Sequence, residues 1–198
     1  MKMHVVALDP GPEVSGLVIL RYGEIVKAGN MGKADILFNI MLEFETKVPL
    51  LVLIEDVKPY GARLSQDLID TCKWIGELEY RLKTAGIAYK LIPRSTVKSY
   101  IFHNFQKISI PRIEKEIICR NKRRKDGEYC KPHASMVNDR IVIAAMKDLW
   151  NIETPKPGKT NRFGLSKHAW QALGVASQWL HSQKVDDYFL NSLSNLSP

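Results

Sequence analysis

Short apolar runs alternate along this chain with segments whose apolar residues recur at helical spacing. Val5-Val6-Ala7-Leu8 is a compact apolar run, the pattern of a buried strand. Asp9-Pro10-Gly11-Pro12 stops it, and after Ser15-Gly16 a second apolar run reaches Leu20. Glu24 to Ala28 completes a meander across a Tyr22-Gly23 turn. Lys33 to Glu45 predicts a helix, with Ile36, Leu37, Ile40, Met41 and Phe44 as its apolar face. Leu50 to Ile54 is another buried-strand pattern, ending in Glu55-Asp56. Leu64, Leu68, Cys72, Ile75, Leu78 and Leu82 hold one face of a long helix over Leu64 to Leu82. Ile87 to Ile92 reads as a strand, and Ser95 as the cap of a helix running to about His103. Two more helices are predicted over Asp139 to Trp150 and Leu165 to His181, joined by a Pro-, Gly- and Lys-rich loop.

Strands first, then strands alternating with helices, describe an α/β fold with a mixed sheet flanked by helices. Residues 106–134 break the regularity. Between Arg112 and Lys131 stand eight Lys/Arg against four Asp/Glu, which reads as a basic insertion or arm. With 198 residues, 45% of them hydrophobic, the chain suits a single domain over 1–183 with a flexible tail over 184–198. A second full domain is not expected.

The formal net charge of +8 points to a polyanionic partner. No apolar run has the length of a membrane span or the layout of a signal peptide. Three cysteines (Cys72, Cys119, Cys130) make no disulfide framework, so a reducing, cytoplasmic setting is expected. Cys119, Cys130 and His133 offer potential zinc ligands within the insertion. Only Cys130 and His133 are tightly spaced, so no zinc site is expected there.

Candidate chemistry begins with two carboxylates. Asp9 and Glu55 each end an apolar strand, and on neighbouring strands they would emerge at one edge about 5 Å apart. Like charges that close repel, and a cation between them relieves the repulsion. Oxygen ligands of this kind favour Mg²⁺ or Mn²⁺ over zinc. The other reading of Asp9 is a turn residue before Pro-Gly. Asp56 points to the face opposite Glu55, and alternation alone leaves open which of the two faces the site. His168, with Gln171 one turn later, starts a helix rich in small residues; it is either a structural histidine or a ligand or general base. Asp139 reads as an N-cap, a role that Asn138 could also take, rather than as a site acid. Basic residues that fit a duplex are Lys58, Arg63, Lys73, Arg94, Lys98, Arg120, Lys122, Arg123, Arg124 and Lys125, with Tyr60 placed to stack on an unpaired base.

The order of these pieces resembles the RuvC-type Holliday junction resolvases of the RNase H-like superfamily, especially the divergent members of phages and prophages. The matching residues are Asp9-Pro10-Gly11 with Ser15-Gly16, Ile54-Glu55 with Tyr60-Gly61, Thr71 to Gly76, and Gly164 to Ala176. They span Met3 to Trp179, with 106–134 unmatched. The resemblance implies an RNase H-like, five-stranded mixed sheet. It also implies a Mg²⁺- or Mn²⁺-dependent endonuclease resolving four-way DNA junctions by paired nicks, as a homodimer in a bacterial or phage-infected cell. Asp9, Glu55 and His168 take the catalytic and metal-binding positions, with Gln171 as a further ligand. One or two ions are implied, one with Asp9 and His168 at the attacking water, the other between Asp9 and Glu55 at the leaving 3′-oxygen. The family usually carries acids on the last helix, and Gln171 departs from that pattern. Its neutral amide supports an alternative, a catalytically weakened protein that binds branched DNA. The helix from Leu64 to Leu82, with Trp74 off its apolar stripe, is the expected dimer face.

Overall fold

Side-chain parity along the first strand divides the molecule into two layers. In the computed structural model, which describes residues 3–57, 64–104, 137–153 and 165–194, strand β1 spans His4–Asp9. It pairs antiparallel with β2 (Val14–Arg21), which pairs with β3 (Glu24–Gly32). On its other side β1 pairs parallel with β4 (Leu50–Asp56), and β4 with β5 (Ala88–Pro93). The five-stranded sheet runs β3-β2-β1-β4-β5, so the fold is α/β with a mixed sheet.

Val6, Leu8, Leu17, Ile19, Val52 and Ile54 face one way. They pack under helices α1 (Lys33–Glu45) and α2 (Gln66–Thr84). Val5, Ala7, Val18, Leu20 and Leu53 face the other way. Against them lie α3 (Arg94–Asn104), α4 (Asp139–Leu149) and α5 (Lys167–Ser194). Coverage of both faces explains why β1 and β4 are continuously apolar instead of alternating.

Several elements differ from their sequence patterns. Helix α1 buries Ile36, Asn39, Ile40 and Glu43 and exposes Met41 and Phe44, so its inner face is rotated from the expected one. Buried Glu43 accounts for the rotation. Its carboxylate accepts two bonds from Arg21, at 2.7 and 3.1 Å, and lies 2.8 Å from His4 Nδ1. Asn39 is satisfied by Lys27 Nζ at 2.7 Å and by donating to the Asp35 carbonyl. Burial of polar groups is tolerable when they are bonded in this way. Helix α3 begins at Arg94 directly after β5, which puts Ser95 inside its first turn instead of at the cap. Helix α5 continues to Ser194, beyond the His181 that periodicity predicts.

Trp74 is not the exposed aromatic expected on α2. It is 1% exposed, and its indole N–H donates to Ser15 Oγ at 3.2 Å while Lys33 Nζ stands over the ring. Cys72, expected on the buried stripe, is exposed in line with Gly76 and Tyr80, because the inner face runs through Thr71, Trp74, Ile75, Leu78 and Leu82. Among the described residues no helix is long and apolar enough to cross a membrane.

Candidate functional site

The pairing register settles which strand-end acids face each other. Leu8 pairs with Ile54, so the next residues, Asp9 and Glu55, stand side by side at the end of two parallel strands. Both continue the series that faces α5 (Val5 and Ala7 on β1, Leu53 on β4). Asp56 therefore falls on the opposite parity, and the site takes Glu55. Asp9 is 5% exposed and Glu55 1%.

Helix α5 brings its first turn onto these acids. His168 Nδ1 lies 2.8 Å from Asp9 Oδ2. The approach requires Gly16, the β2 partner of Asp9, because a Cβ there would run into the His168 backbone. Asn30 on β3 fixes the register of the helix by accepting the Ala169 N–H at 3.2 Å. The turn after Asp9 is held separately. Buried Ser15 Oγ accepts the Gly11 N–H and the Trp74 indole N–H, both at 3.2 Å, and so links the turn to α2. Ser15-Gly16 thus has a double use, one residue holding the loop and the other admitting the helix.

The electrostatics of the pair are severe. Glu55 is pushed up from 4.5 to about 8, first by burial, then by the charge of Asp9 and a hydrogen bond with it. Arg94 and Lys98 pull the other way and do not overcome the burial. Glu55 therefore carries a proton at neutral pH in the metal-free protein, and its Oε2 is buried without a partner. An unpartnered carboxylate oxygen beside a second carboxylate suits a hard divalent cation in donor chemistry. Among the described residues no three His, Cys, Asp or Glu side chains stand close enough to hold one ion as they are.

A cavity of about 270 Å³ opens over the site, lined by Asp9, Thr71, Arg94, Asp139, His168 and Gln171, among others. Gln171 is buried and lines the cavity as expected, with its Nε2 lacking a partner. Asp139 departs from its expected N-cap role. Asn138 caps α4 by accepting the Ile141 N–H at 3.1 Å, and Asp139 faces the cavity. The dipeptide Asn138-Asp139 offers two residues competent to cap, and the one left over was the signal in the sequence.

The basic residues divide. Arg94 and Lys98 both lie in the first turns of α3, and the Arg94 side chain is 41% exposed. Arg94 reaches Asp139 at 3.4 Å and Glu55 at 3.9 Å. The Lys98 ammonium is pushed down by burial and by Arg94, against the pull of Asp139 and Glu55. Lys73 is exposed on α2 and pairs with Asp70 at 3.1 Å. Lys58, Tyr60, Arg63, Arg120, Lys122, Arg123, Arg124 and Lys125 lie outside the described residues, as do Cys119, Cys130 and His133.

No protein-family model and no curated protein sequence matches the chain. Solved structures do. A Thermus thermophilus RuvC structure matches at 13% identity and a TM-score of 0.54, covering 93% of this chain and 97% of that one. T. thermophilus RuvC in complex with a Holliday junction substrate matches at 13% identity and a TM-score of 0.50, covering 89% and 92%. At this identity the likeness concerns the fold, and the fold is RuvC-like, of the RNase H-like class.

Proposed function

We propose that this chain is a divalent-metal-dependent endonuclease that hydrolyses phosphodiester bonds in branched DNA, four-way junctions above all, by paired nicks. The observation that carries the reading is the meeting of Asp9, Glu55 and His168 at the end of the central parallel strands. The RuvC-like fold supports it, since one neighbour is in complex with a Holliday junction substrate. On this reading the protein is a divergent, phage- or prophage-type resolvase working in the cytoplasm.

Asp9 and Glu55 would hold Mg²⁺ or Mn²⁺, with His168 and Gln171 as neutral ligands. When bound, one or two such ions supply charge stabilisation to the phosphoryl oxygens and the leaving 3′-oxygen. His168 orients through Asp9. A carboxylate only accepts, so Nδ1 carries the proton toward Asp9 Oδ2 at 2.8 Å. On this reading Nε2, the other ring nitrogen, acts as ligand or takes the proton of the attacking water. Lys73, Arg94 and Lys98, with the basic residues of 58–63 and 120–125, supply the charge that meets the DNA backbone.

Two symmetric nicks call for two copies, and α2 is the proposed contact. Its outward line of Cys72, Gly76 and Tyr80 carries a glycine with nothing within 4 Å of the position a Cβ would take, and Tyr80 is 72% exposed. A mid-helix glycine costs about 1 kcal/mol against alanine. Close approach of a second helix is a use that offsets the cost.

Gln171 favours a second reading, a branched-DNA-binding protein of the same fold with weakened catalysis, because an amide is a poorer ligand for hard cations than a carboxylate. Incubation with a synthetic four-way junction, a flap and a linear duplex, each with Mg²⁺, Mn²⁺ or EDTA, separates the two. Metal-dependent cutting of the junction supports the nuclease. Tight junction binding with no cutting under either metal supports the binding protein.

A further inference from the structure

Asp9 and Glu55 are the carboxylates supplied by the strands, and Gln171 adds none. A pair of divalent cations would meet less negative charge than two-metal phosphodiester chemistry ordinarily gathers around it. The cavity holds one more acid, Asp139 at the start of α4. Capping does not require it, since Asn138 caps the helix through its own side chain. Beside it stands Arg94, whose guanidinium spans from Asp139 Oδ1, at 3.4 Å, to Glu55 Oε1, at 3.9 Å. One cationic group therefore spans two acidic side chains from separate elements, which is the arrangement a metal ion also adopts. Two buried side chains also carry an atom without a hydrogen-bond partner: Glu55 at Oε2, a donor for a hard cation, and Gln171, which lines the cavity, at its amide.

We propose that Asp139 is a third carboxylate of the metal site, taking the place left neutral by Gln171, and that Arg94 is its counter-ion in the metal-free protein. On cation binding the guanidinium gives up Glu55 and Asp139 and is released toward the phosphate of the substrate. This deepens the nuclease reading and rests on it in one respect, that Asp9 and Glu55 bind a divalent cation.

The test is Mn²⁺ binding to the full chain without DNA, by calorimetry, for the wild type, Asp9→Asn, Asp139→Asn, Arg94→Gln and Asp139→Asn with Gln171→Glu. Asp139→Asn is expected to weaken binding about tenfold or more. Arg94→Gln is expected to tighten it, because a competing cation is removed, and Gln171→Glu to recover part of the loss. An ion pair that only braces α4 against β4 predicts the opposite for Arg94→Gln, a loss matching that of Asp139→Asn, and that result overturns the proposal. Wild-type affinity in Asp139→Asn, with binding lost in Asp9→Asn, overturns the proposal and leaves the metal site standing. No Mn²⁺ binding by the wild type overturns both. Should Asp139→Asn fail to fold, the sign of the Arg94→Gln effect decides alone.

Discussion

His168 Nδ1 and Asp9 Oδ2 lie 2.8 Å apart across 159 positions of the chain, joining the start of the last helix to the end of the first strand. The contact exists because β2 offers Gly16 where any side chain would hold the helix away. Gly16→Ala should therefore separate His168 from Asp9 without removing a functional group. Overpacking of this kind costs about 1–3 kcal/mol. Nuclease activity should fall far more steeply than the melting temperature, and equal activity in mutant and wild type counts against a role for the contact.

His168 is placed to act on the attacking water. Loss of a positioned acid–base group typically slows a reaction by roughly 10²–10⁴-fold. His168→Ala should lower single-turnover junction cleavage within that range while leaving junction affinity near that of the wild type. An unchanged rate removes His168 from the chemistry.

Glu55 makes both metal binding and stability depend on pH. Its carboxyl is raised from 4.5 to about 8, so below about 8 a cation must displace its proton. Mn²⁺ affinity should rise by up to about tenfold per pH unit from 6 toward 8 and level off above. For stability the sign runs the other way. Between 4.5 and about 8 the folded chain binds a proton that the unfolded chain has lost. The Glu55 contribution is thus full below 4.5 and is lost as the pH rises toward 8. Melting curves of the metal-free protein should show this decline, and Glu55→Gln should flatten it. A decline of the same slope in the variant assigns it to other groups.

Ser15 is a structural linchpin with two donors on one hydroxyl. Ser15→Ala leaves the Gly11 N–H and the Trp74 indole N–H unsatisfied in the interior, at a cost of about 1–3 kcal/mol for each such group. Chemical denaturation should register the loss. A Ser15→Ala protein as stable as the wild type means that the turn after Asp9 is held by other contacts.

The proposed α2 contact centres on Gly76, with Cys72 and Tyr80 a turn to either side. Gly76→Lys should yield a monomeric mass in solution where the wild type gives a dimer. A wild-type monomer at micromolar concentration argues against the homodimer.

Much of this molecule could be read from the pattern of apolar residues. Continuous apolar runs marked β1 and β4 as buried strands, and the pairing of the two brings Asp9 and Glu55 to one edge. The sequence could not say whether Glu55 or Asp56 faces the site, because alternation has no sign until a register such as Leu8 with Ile54 fixes it. Trp74 read as exposed, since a helical stripe says nothing of a serine 59 residues away waiting for its indole N–H. Asp139 read as a cap because two adjacent residues were competent, and only the Asn138–Ile141 bond shows which one was used. Arg94 read as a surface cation, and its place between Glu55 and Asp139 depends on three elements meeting.

The most direct measurement is mapping of nicks in a strand-labelled four-way junction treated with the protein and Mg²⁺. Paired nicks at symmetric positions in opposing strands, with 5′-phosphate and 3′-hydroxyl ends, are expected, and Asp9→Asn should abolish them while junction binding persists. Intact strands under both Mg²⁺ and Mn²⁺, or nicks that survive Asp9→Asn, would rule out Asp9, Glu55 and His168 as the centre of a junction-cutting nuclease.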